Sequence, residues 1–427
     1  MASVNQPLRV ALLSYRSKPH SGGQGVYVRH LSRELAALGH HVEVFSGQPY
    51  PDLDPGPVLT RLPSLDLYRD EDPFRTPRPS EIRDWADMLE VALMWTGSFP
   101  EPLTFSIRAL RALRERPGQF DVVHDNQGLG YGMLGLRGLG LPLVTSIHHP
   151  ITVDRRLDLA GRRLLTRLNK ERWYSFLHMQ GQVARRVAPL VTVSGSSRQD
   201  ICRDFRAQPG DVHIVPLGVD TRRFHPREQP RVPGRIVTVT SADVPLKGLA
   251  VLLRAFSKLS TERDVHLRVI GAPAEATRAL VAQLSLADRV SFTPGLPDEE
   301  YARVLASAQI AVVPSRYEGF SLPAVEHMAS GTPLIASRAG ALPEVTGGSY
   351  PEDPSGAAML VTAGDPEQLA AALLRLHDSA AEREALSARA LRRVSERFAW
   401  PAVAAATAEI YRAAIYHDKL EPPRADR

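Results

Sequence analysis

The strongest constraint on this chain is a rhythm that runs through it twice: a short apolar run rich in β-branched residues, then a longer amphipathic stretch, then another short run. Apolar runs of about four to eight residues alternating with helical segments are the pattern of parallel strands joined by crossover helices. The first half predicts strands at Leu8–Ser14, His41–Ser46, Val122–His124, Leu143–Ile147, Leu190–Val193 and His213–Val215. The second half predicts Arg235–Thr240, Val265–Ile270, Val290–Thr293, Ile310–Val313 and Pro333–Ala336, separated by helices such as Leu249–Ser260, Glu299–Ser307 and Ala324–Ser330. The expected class is α/β, with two open parallel sheets.

Between the two patterns Thr221–Pro233 carries Pro226, Pro230 and Pro233, lacks periodicity, and reads as a linker. The expected domains are therefore 1–220 and 234–398, joined by 221–233 and followed by a terminal segment 399–427. A length of 427 residues agrees, since it suits two domains of about 200. The stretch Pro49–Pro79 holds eight prolines among 31 residues, too many for a helix or an inner strand, and is expected to be a surface excursion, packed or substrate-facing. A helix is predicted over Ser80–Trp95 with Ser80 as its N-cap. A final helix, Pro401–Ile415, presents Val403, Ile410 and Ile415 as an apolar face that could cross back to the first domain, and the tail beyond His417 reads as frayed.

Composition removes several classes. Hydrophobic residues at 43% and charged residues at 23% exclude disordered, collagen-like and coiled-coil chains. A lone cysteine, Cys202, forms no disulfide framework or cysteine zinc site and fits a reducing compartment, so the cytoplasm is the expected location. The opening MASVNQPLRVALLSY is too short in apolar residues for a secretion signal, and no run is long enough for a spanning helix. A net charge of +5, from 52 basic and 47 acidic side chains, does not imply a nucleic-acid partner.

Two segments carry chemistry. The first predicted strand leads into SGGQGVYVRHLSRELAALG, where Gly22, Gly23 and Gly25 open a helix with Val26, Leu31, Leu35 and Leu38 as its expected apolar face. Glycines let backbone N–H groups approach a ligand, and a helix N-terminus favours an anion, so the loop is either a ligand cradle or a tight turn. It is not the dinucleotide fingerprint, because the glycine spacing differs and no acid ends the second strand at Ser46. The second segment, SRYEGFSLPAVEHMASGTPLIAS, starts as the strand Ile310–Val313 ends. Glu318 sits in a turn, Gly319, Phe320, Ser321 and Leu322 offer N–H groups at a helix start, Pro323 suits the first helical turn, and Glu326 lies eight residues beyond Glu318. Carboxylates accept bonds from adjacent sugar hydroxyls while the N–H cradle suits a diphosphate, a division that fits a nucleotide sugar.

EGFSLPAVE resembles the donor-binding motif of glycosyltransferase family 4, the retaining family with the GT-B fold. Further likenesses occur in the same order along nearly the whole chain: SGGQGVYVRHLSRELAALGHHVEV, VTSIHH, VTVSGSSRQDI, VPLGVDTRRFHP, VPLKG and ERFAW. The resemblance implies two facing Rossmann-like domains, with donor mostly on the C-terminal one, acceptor mostly on the N-terminal one, and no required metal or other cofactor. By motif, Glu326 matches the glutamate on the donor ribose and Glu318 the one at the transferred sugar. Lys247 matches the diphosphate lysine, Gly23 with its neighbour Gly22 the phosphate loop, and His148 the sugar-facing histidine, with His149 beside it. Catalytic roles are thus implied for His148, Glu318 and Lys247.

One position departs from the pattern: where the family usually has an arginine five residues before the lysine, this chain has Ala242. Arg316, Arg338 or an arginine of the first domain is expected to supply the second cation for the leaving diphosphate. The loss keeps a non-catalytic nucleotide-sugar-binding protein as an alternative, and a sugar-nucleotide epimerase is a second. The expected activity is transfer of a hexose from a nucleotide-diphosphate sugar, UDP-linked by family frequency or GDP-mannose, to a glycan, lipid or small-molecule hydroxyl. The region Arg155 to Arg186 interleaves Arg155, Arg156, Arg162, Arg163, Arg167, Lys170, Arg172, Arg185 and Arg186 with Trp173, Tyr174, Phe176 and Leu177. That pattern suits either a solvated helix with a buried face or peripheral contact with an anionic membrane.

Overall fold

The structure is a computed structural model that describes residues 6–18, 23–69, 71–148, 150–159, 164–240 and 245–420. Strands β1 (Arg9–Ser14), β2 (His41–Ser46), β3 (Val58–Arg61), β4 (Val122–Asn126), β5 (Leu143–Ser146), β6 (Leu190–Thr192) and β7 (Val212–Ile214) form one sheet in the order β3-β2-β1-β4-β5-β6-β7. Strands β8 (Val232–Val239), β9 (His266–Ile270), β10 (Val290–Thr293), β11 (Ala308–Val313), β12 (Leu334–Ser337) and β13 (Met359–Val361) form the other, ordered β10-β9-β8-β11-β12-β13. Every pairing is parallel. Both are doubly wound sheets, and each reverses its strand order once, between β1 and β4 and between β8 and β11. The α/β class and the two Rossmann-like sheets are as expected.

The chain divides into a unit of Met1–Val193, Ser197–Val215 and Val403–Arg427 and a second of Ser194–Ser196 and Pro216–Ala402. Each has its own core. Leu13, Phe45, Phe105, Val123 and Met133 are buried in the first, and Leu252, Phe256, Leu267, Ile310 and Leu373 in the second. Helices on both faces of a parallel sheet leave its central strands no solvent side, which is why all five residues of β4 are buried.

Several local expectations change. β3 lies inside the proline-rich excursion and is tolerated there because it is an edge strand with no proline within VLTR. β13, of three residues, is too short to announce itself. The first helix, Gly23–Ala37, buries Tyr27, Val28, Leu31 and Leu35, whereas Val26 is half-buried and Leu38 exposed. The last helix runs Trp400–Leu420 and returns to the first unit from Val403 onward; it buries Val403, Thr407 and Tyr411, with Ile410 and Ile415 only half-buried.

The helix expected at Ser80 starts later. Pro79–Glu81 makes one 3-10 turn, and Asp84 caps the helix Trp85–Trp95 by accepting from the backbone N–H of Ala86 (2.9 Å) and Asp87 (3.0 Å). This helix turns its acids inward. Asp87 and Glu90 are buried and share Arg108, whose Nη2 lies 2.7 Å from Asp87 and 2.5 Å from Glu90, and Arg83 holds the other oxygen of Asp87 at 2.8 Å. Burial pushes the Glu90 carboxyl up, and Arg108 opposes that. Removing Arg108 leaves two buried acids without their common cation. Arg108→Ala is expected to destabilise the first unit by about 3–5 kcal/mol in urea unfolding, with part of the loss regained in Arg108→Ala/Asp87→Asn/Glu90→Gln; an unchanged midpoint would show that these pairs do not hold the helix.

Candidate functional site

In open parallel sheets, ligands bind beyond the carboxyl ends of the strands where the order reverses. In the second unit this is the ground between the exits of β8 and β11. The chain leaving β8 makes a single 3-10 turn, Pro245–Lys247, and then Gly248 at φ 68. A Cβ at Gly248 would fall 1.9 Å from the carbonyl oxygen of Pro314, so only glycine permits this approach. Arg316 N–H donates to the Leu246 carbonyl at 2.7 Å, tying the two exits together.

The consequence is a contact between residues 71 apart in sequence: Lys247 Nζ lies 2.9 Å from Glu318 Oε1. Ser315 Oγ donates to the same oxygen at 2.7 Å, and Glu318 is buried. A third loop presses on the pair, since the Glu318 carbonyl accepts from Ala341 N–H at 2.9 Å and a side chain at Gly340 would fall 2.1 Å from that carbonyl. Phe320 anchors the turn by packing edge-on to Phe398, ring centres 5.8 Å apart, while the Gly319 carbonyl accepts from Ser194 Oγ at 2.6 Å.

Ser321 stands at φ 85 and ψ 79, a left-handed conformation, and its hydroxyl accepts from Ala324 N–H at 3.4 Å as N-cap of the helix Leu322–Ala329. Glu326 follows on that helix, half-buried, accepting from the Tyr301 hydroxyl at 2.5 Å. Burial pushes its carboxyl up to about 7 against the opposing Tyr301 bond and the charge of Arg223. Tyr301 itself is raised well above the ordinary phenol range by burial and by Glu326, so it remains a donor. The turn and helix therefore present two carboxylates, one held by a lysine and a serine, the other by a tyrosine.

In the first unit Gly22 lies outside the described residues, and Gly23 begins the helix that follows β1. Gly25 is required for space, because a Cβ there would meet the Lys18 carbonyl at 2.1 Å. His148 follows β5, with its Nε2 2.6 Å from Asn126 Oδ1 and its backbone N–H 3.1 Å from Gln127 Oε1. The Tyr27 ring meets it at 4.4 Å, steeply inclined. Burial lowers the imidazole to about 4, so it is neutral at pH 7 and exchanges hydrogen bonds instead of offering a cation. His149 lies outside the described residues.

Behind His148 runs a chain of buried polar groups. His124 on β4 bonds Tyr411 Oη through Nδ1 (2.6 Å) and Ser146 Oγ through Nε2 (2.7 Å), and Ser146 in turn bonds Tyr27. Asp125 beside it is buried and pushed up to about 6, accepting from the N–H groups of Gly128 and Leu129; it shapes the turn after β4. Sequence reasoning missed Ser315, Tyr301, Tyr27, His124 and Tyr411. Tyr301, Tyr27, His124 and Tyr411 sit in apolar or amphipathic runs where they read as core, and Ser315 opens the SRYEGFSLP turn without a signal that sets it apart from its neighbours.

Ala242 lies outside the described residues, and the arginines that would replace the missing cation, Arg316 and Arg338, are exposed side chains at the exits of β11 and β12. In the basic region, Arg162 and Arg163 fall outside the described residues. There Phe176 and Leu177 are buried, Trp173 packs on Phe99 with ring centres 5.2 Å apart, and Arg156, Arg167 and Lys170 pair with Asp204, Glu171 and Asp158. Among the described residues no three His, Cys, Asp or Glu side chains gather as a metal site, and no helix is long and apolar enough to cross a membrane.

Comparison with known proteins gives two family matches, Glycosyltransferase Family 4 over residues 21–223 and Glycosyl transferases group 1 over residues 233–379. The chain is 56% identical over 412 residues to the MMP alpha-(1->4)-mannosyltransferase of Mycolicibacterium hassiacum, covering 96% of this chain and 98% of that one. It is 31% identical to D-inositol 3-phosphate glycosyltransferase 2 of Catenulispora acidiphila, over 96% of each chain. Among solved structures it resembles sucrose-phosphate synthase from Thermosynechococcus elongatus, with a TM-score of 0.66 at 22% identity over 96% of this chain and all of that one, a likeness of fold.

The buried titratable groups set a pH profile. His124 and His327 are lowered to about 3 and His148 to about 4, all by burial, from 6.5. Below pH 6.5 the unfolded chain binds protons that the folded chain refuses, and this costs stability. Glu326 and Asp125, raised to about 7 and about 6 from 4.5 and 3.8, and Glu101, also raised by burial, act the other way. The two sets oppose each other from about pH 6.5 to 4.5. Below that these raised carboxyls are protonated in both states, and the histidines are joined by carboxyls that a partner holds low, such as Asp54 bonded to Arg29, which also lose stability as they protonate. The thermal unfolding midpoint is expected to change little from pH 6.5 to 5 and to fall steeply below 4; a steady fall from pH 7 would show that the raised carboxyls do not offset the histidines.

Proposed function

The chain belongs to glycosyltransferase family 4, and we propose that it moves a mannosyl group from a nucleotide-diphosphate mannose to a hydroxyl of a mannoside acceptor, with retention of configuration. The observation that carries this reading is the Lys247–Glu318 contact at the strand-order reversal, with Glu326 on the same turn-helix unit, in a chain so similar to an α-(1→4)-mannosyltransferase. Membership in a transferase family sets aside the epimerase and the non-catalytic binder. A mannosyl donor favours GDP-mannose over the UDP-sugars that family frequency suggested.

Transfer breaks the bond between the anomeric carbon and the diphosphate oxygen and forms one to the acceptor oxygen. The leaving diphosphate gains negative charge, and Lys247, with the N–H groups of the Gly319–Leu322 turn, meets it there. In the front-face course of retaining transferases the departing phosphate oxygen takes the acceptor proton, so no separate base is needed. An α-linked product from an α-linked donor follows from the same course. Glu318, fixed by Lys247 and Ser315, accepts from hydroxyls of the transferred sugar, and neutral His148 exchanges a hydrogen bond with another. Glu326 accepts from the ribose diol while Tyr301 fixes its orientation. These groups are set before the donor arrives, so little reorganisation accompanies the reaction.

Release of nucleotide diphosphate from GDP-mannose, in the presence of an α-(1→4)-linked mannobioside and of EDTA, is the direct test. Among GDP-, UDP-, ADP- and TDP-sugars, GDP-mannose is expected to turn over and to give an α-(1→4)-linked product by NMR; turnover with non-mannosyl donors alone would overturn the reading. Glu318→Ala and Lys247→Ala are expected to lower kcat by about 100-fold or more. Tyr301→Phe is expected instead to raise donor KM about tenfold while kcat changes little, since it orients a carboxylate remote from the reacting carbon.

A further inference from the structure

The excursion Pro49–Pro79 and the helix Trp85–Trp95 are the part of the first unit that this chemistry leaves unused. Beyond the carboxyl ends of β2 and β3 the excursion, with Gln48 and with Arg83 just before the helix, borders an open cleft of about 420 Å³ that Ser64, Asp66, Arg69 and Arg75 also line. Its walls are fixed. Arg75 donates to the Leu65 carbonyl (2.9 Å) and pairs with Glu81, Arg83 donates to the Pro63 carbonyl (3.1 Å) and pairs with Asp87, and Gln48 Oε1 accepts from Ser64 N–H (2.8 Å). Asp66 sits at φ 49, in the left-handed region that few side chains enter, and its buried Oδ1 has no hydrogen-bond partner among the described residues.

Next to this cleft the helix Trp85–Trp95 is inverted. Its acids point inward to Arg83 and Arg108, and its outward face carries Trp85 (51% exposed), Met88 (56%), Ala92 and Trp95 (69%). Spaced three, seven and ten residues from the first, these lie along one stripe about 15 Å long. The Arg111 guanidinium stacks on Trp85 at 4.6 Å and braces it.

We propose that the cleft and the stripe together bind the acceptor glycan, along the part of its chain away from the hydroxyl that is glycosylated. A sugar ring has two kinds of surface. Its hydroxyl edge is met by planar carboxylate, amide and guanidinium groups, as in the cleft, and its C–H face by tryptophan, as on the stripe. The one cation stacked on the stripe among the described residues, Arg111, is paired with Asp84, so the stripe offers an anionic bilayer little to hold by charge. The proposal rests on the mannosyltransferase reading for the identity of the glycan, and on this groove alone for where it lies.

The test uses α-(1→4)-linked mannobiose to mannohexaose on the full chain. Acceptor KM is expected to fall about tenfold from the shortest to the longest in the unaltered protein. Asp66→Asn, which keeps shape and left-handed tolerance, and Trp85→Ala are each expected to erase that dependence through KM, with kcat for the hexaose little changed; Leu139→Ala, an exposed apolar change at the end of the helix Gly132–Gly138, is expected to preserve it. Saturation-transfer NMR without donor gives a second readout, with hexaose contacts to the protein lost in both variants. Transfer to mannosides with the same length dependence in all three variants would overturn the groove and leave the function standing. Absence of mannosyl transfer, with hexaose binding that both variants abolish, would sink the function and leave the groove. Loss of liposome binding or of dimer formation in Trp85→Ala, without any hexaose binding in the unaltered protein, would assign the stripe to a membrane or a second copy and overturn the proposal.

Discussion

The chemistry of the second unit depends on one backbone approach: Gly248 against the Pro314 carbonyl. Two chain segments that leave adjacent strands β8 and β11 come within a distance that a side chain at 248 forbids. Their closeness brings Lys247 to Glu318 and lets Ser315 complete the carboxylate. The strand-order reversal creates the opening, the glycine closes it to the right width, and the ion pair is the result. Gly340 repeats the device from the β12 side, seating a third loop on the Glu318 backbone. Positions that look like loop glycines are thus the spacers of a charged site.

The first unit solves a different problem. Burial keeps the His148 imidazole neutral at pH 7, and the groups around it are joined by hydrogen bonds. His124 at the centre of the sheet has both ring nitrogens bonded, to Tyr411 and Ser146, and Ser146 carries the chain on to Tyr27, whose ring bears on His148. A buried polar network of this kind is favourable only when its members are satisfied. Tyr411 belongs to the last helix, so the terminal segment completes the polar core of the first unit.

Much of this was legible in the sequence, for a physical reason. Strands buried on both faces are written as continuous apolar runs, and a turn that must expose N–H groups before a helix is written EGFSLP. What escaped was written elsewhere. β3 and β13 are short, and VLTR lies among prolines that mask an edge strand. His124 occupies a β-branched run and Tyr411 an alanine-rich helix, 287 residues apart, and nothing in either stretch names the other. Tyr301 reads as an ordinary member of an amphipathic helix until the fold sets it against Glu326. Ser80 and Asp84 are both good caps, and only the two N–H groups that Asp84 receives decide between them.

The helix Trp85–Trp95 shows how charge can decide which side of a helix is buried. Its inner side carries Asp87 and Glu90 beside Val91 and Met94, while Trp85 and Trp95 face outward. Burying two carboxylates is costly unless their cations are fixed beside them, and here Arg83 and Arg108 come from the chain just before the helix and from the next helix. Such an arrangement specifies which way the helix faces, because turning it over would leave Arg108 buried without its acids. An apolar face held outward by a buried ion cluster is therefore a fixed feature of the fold, and its direction is set by charge.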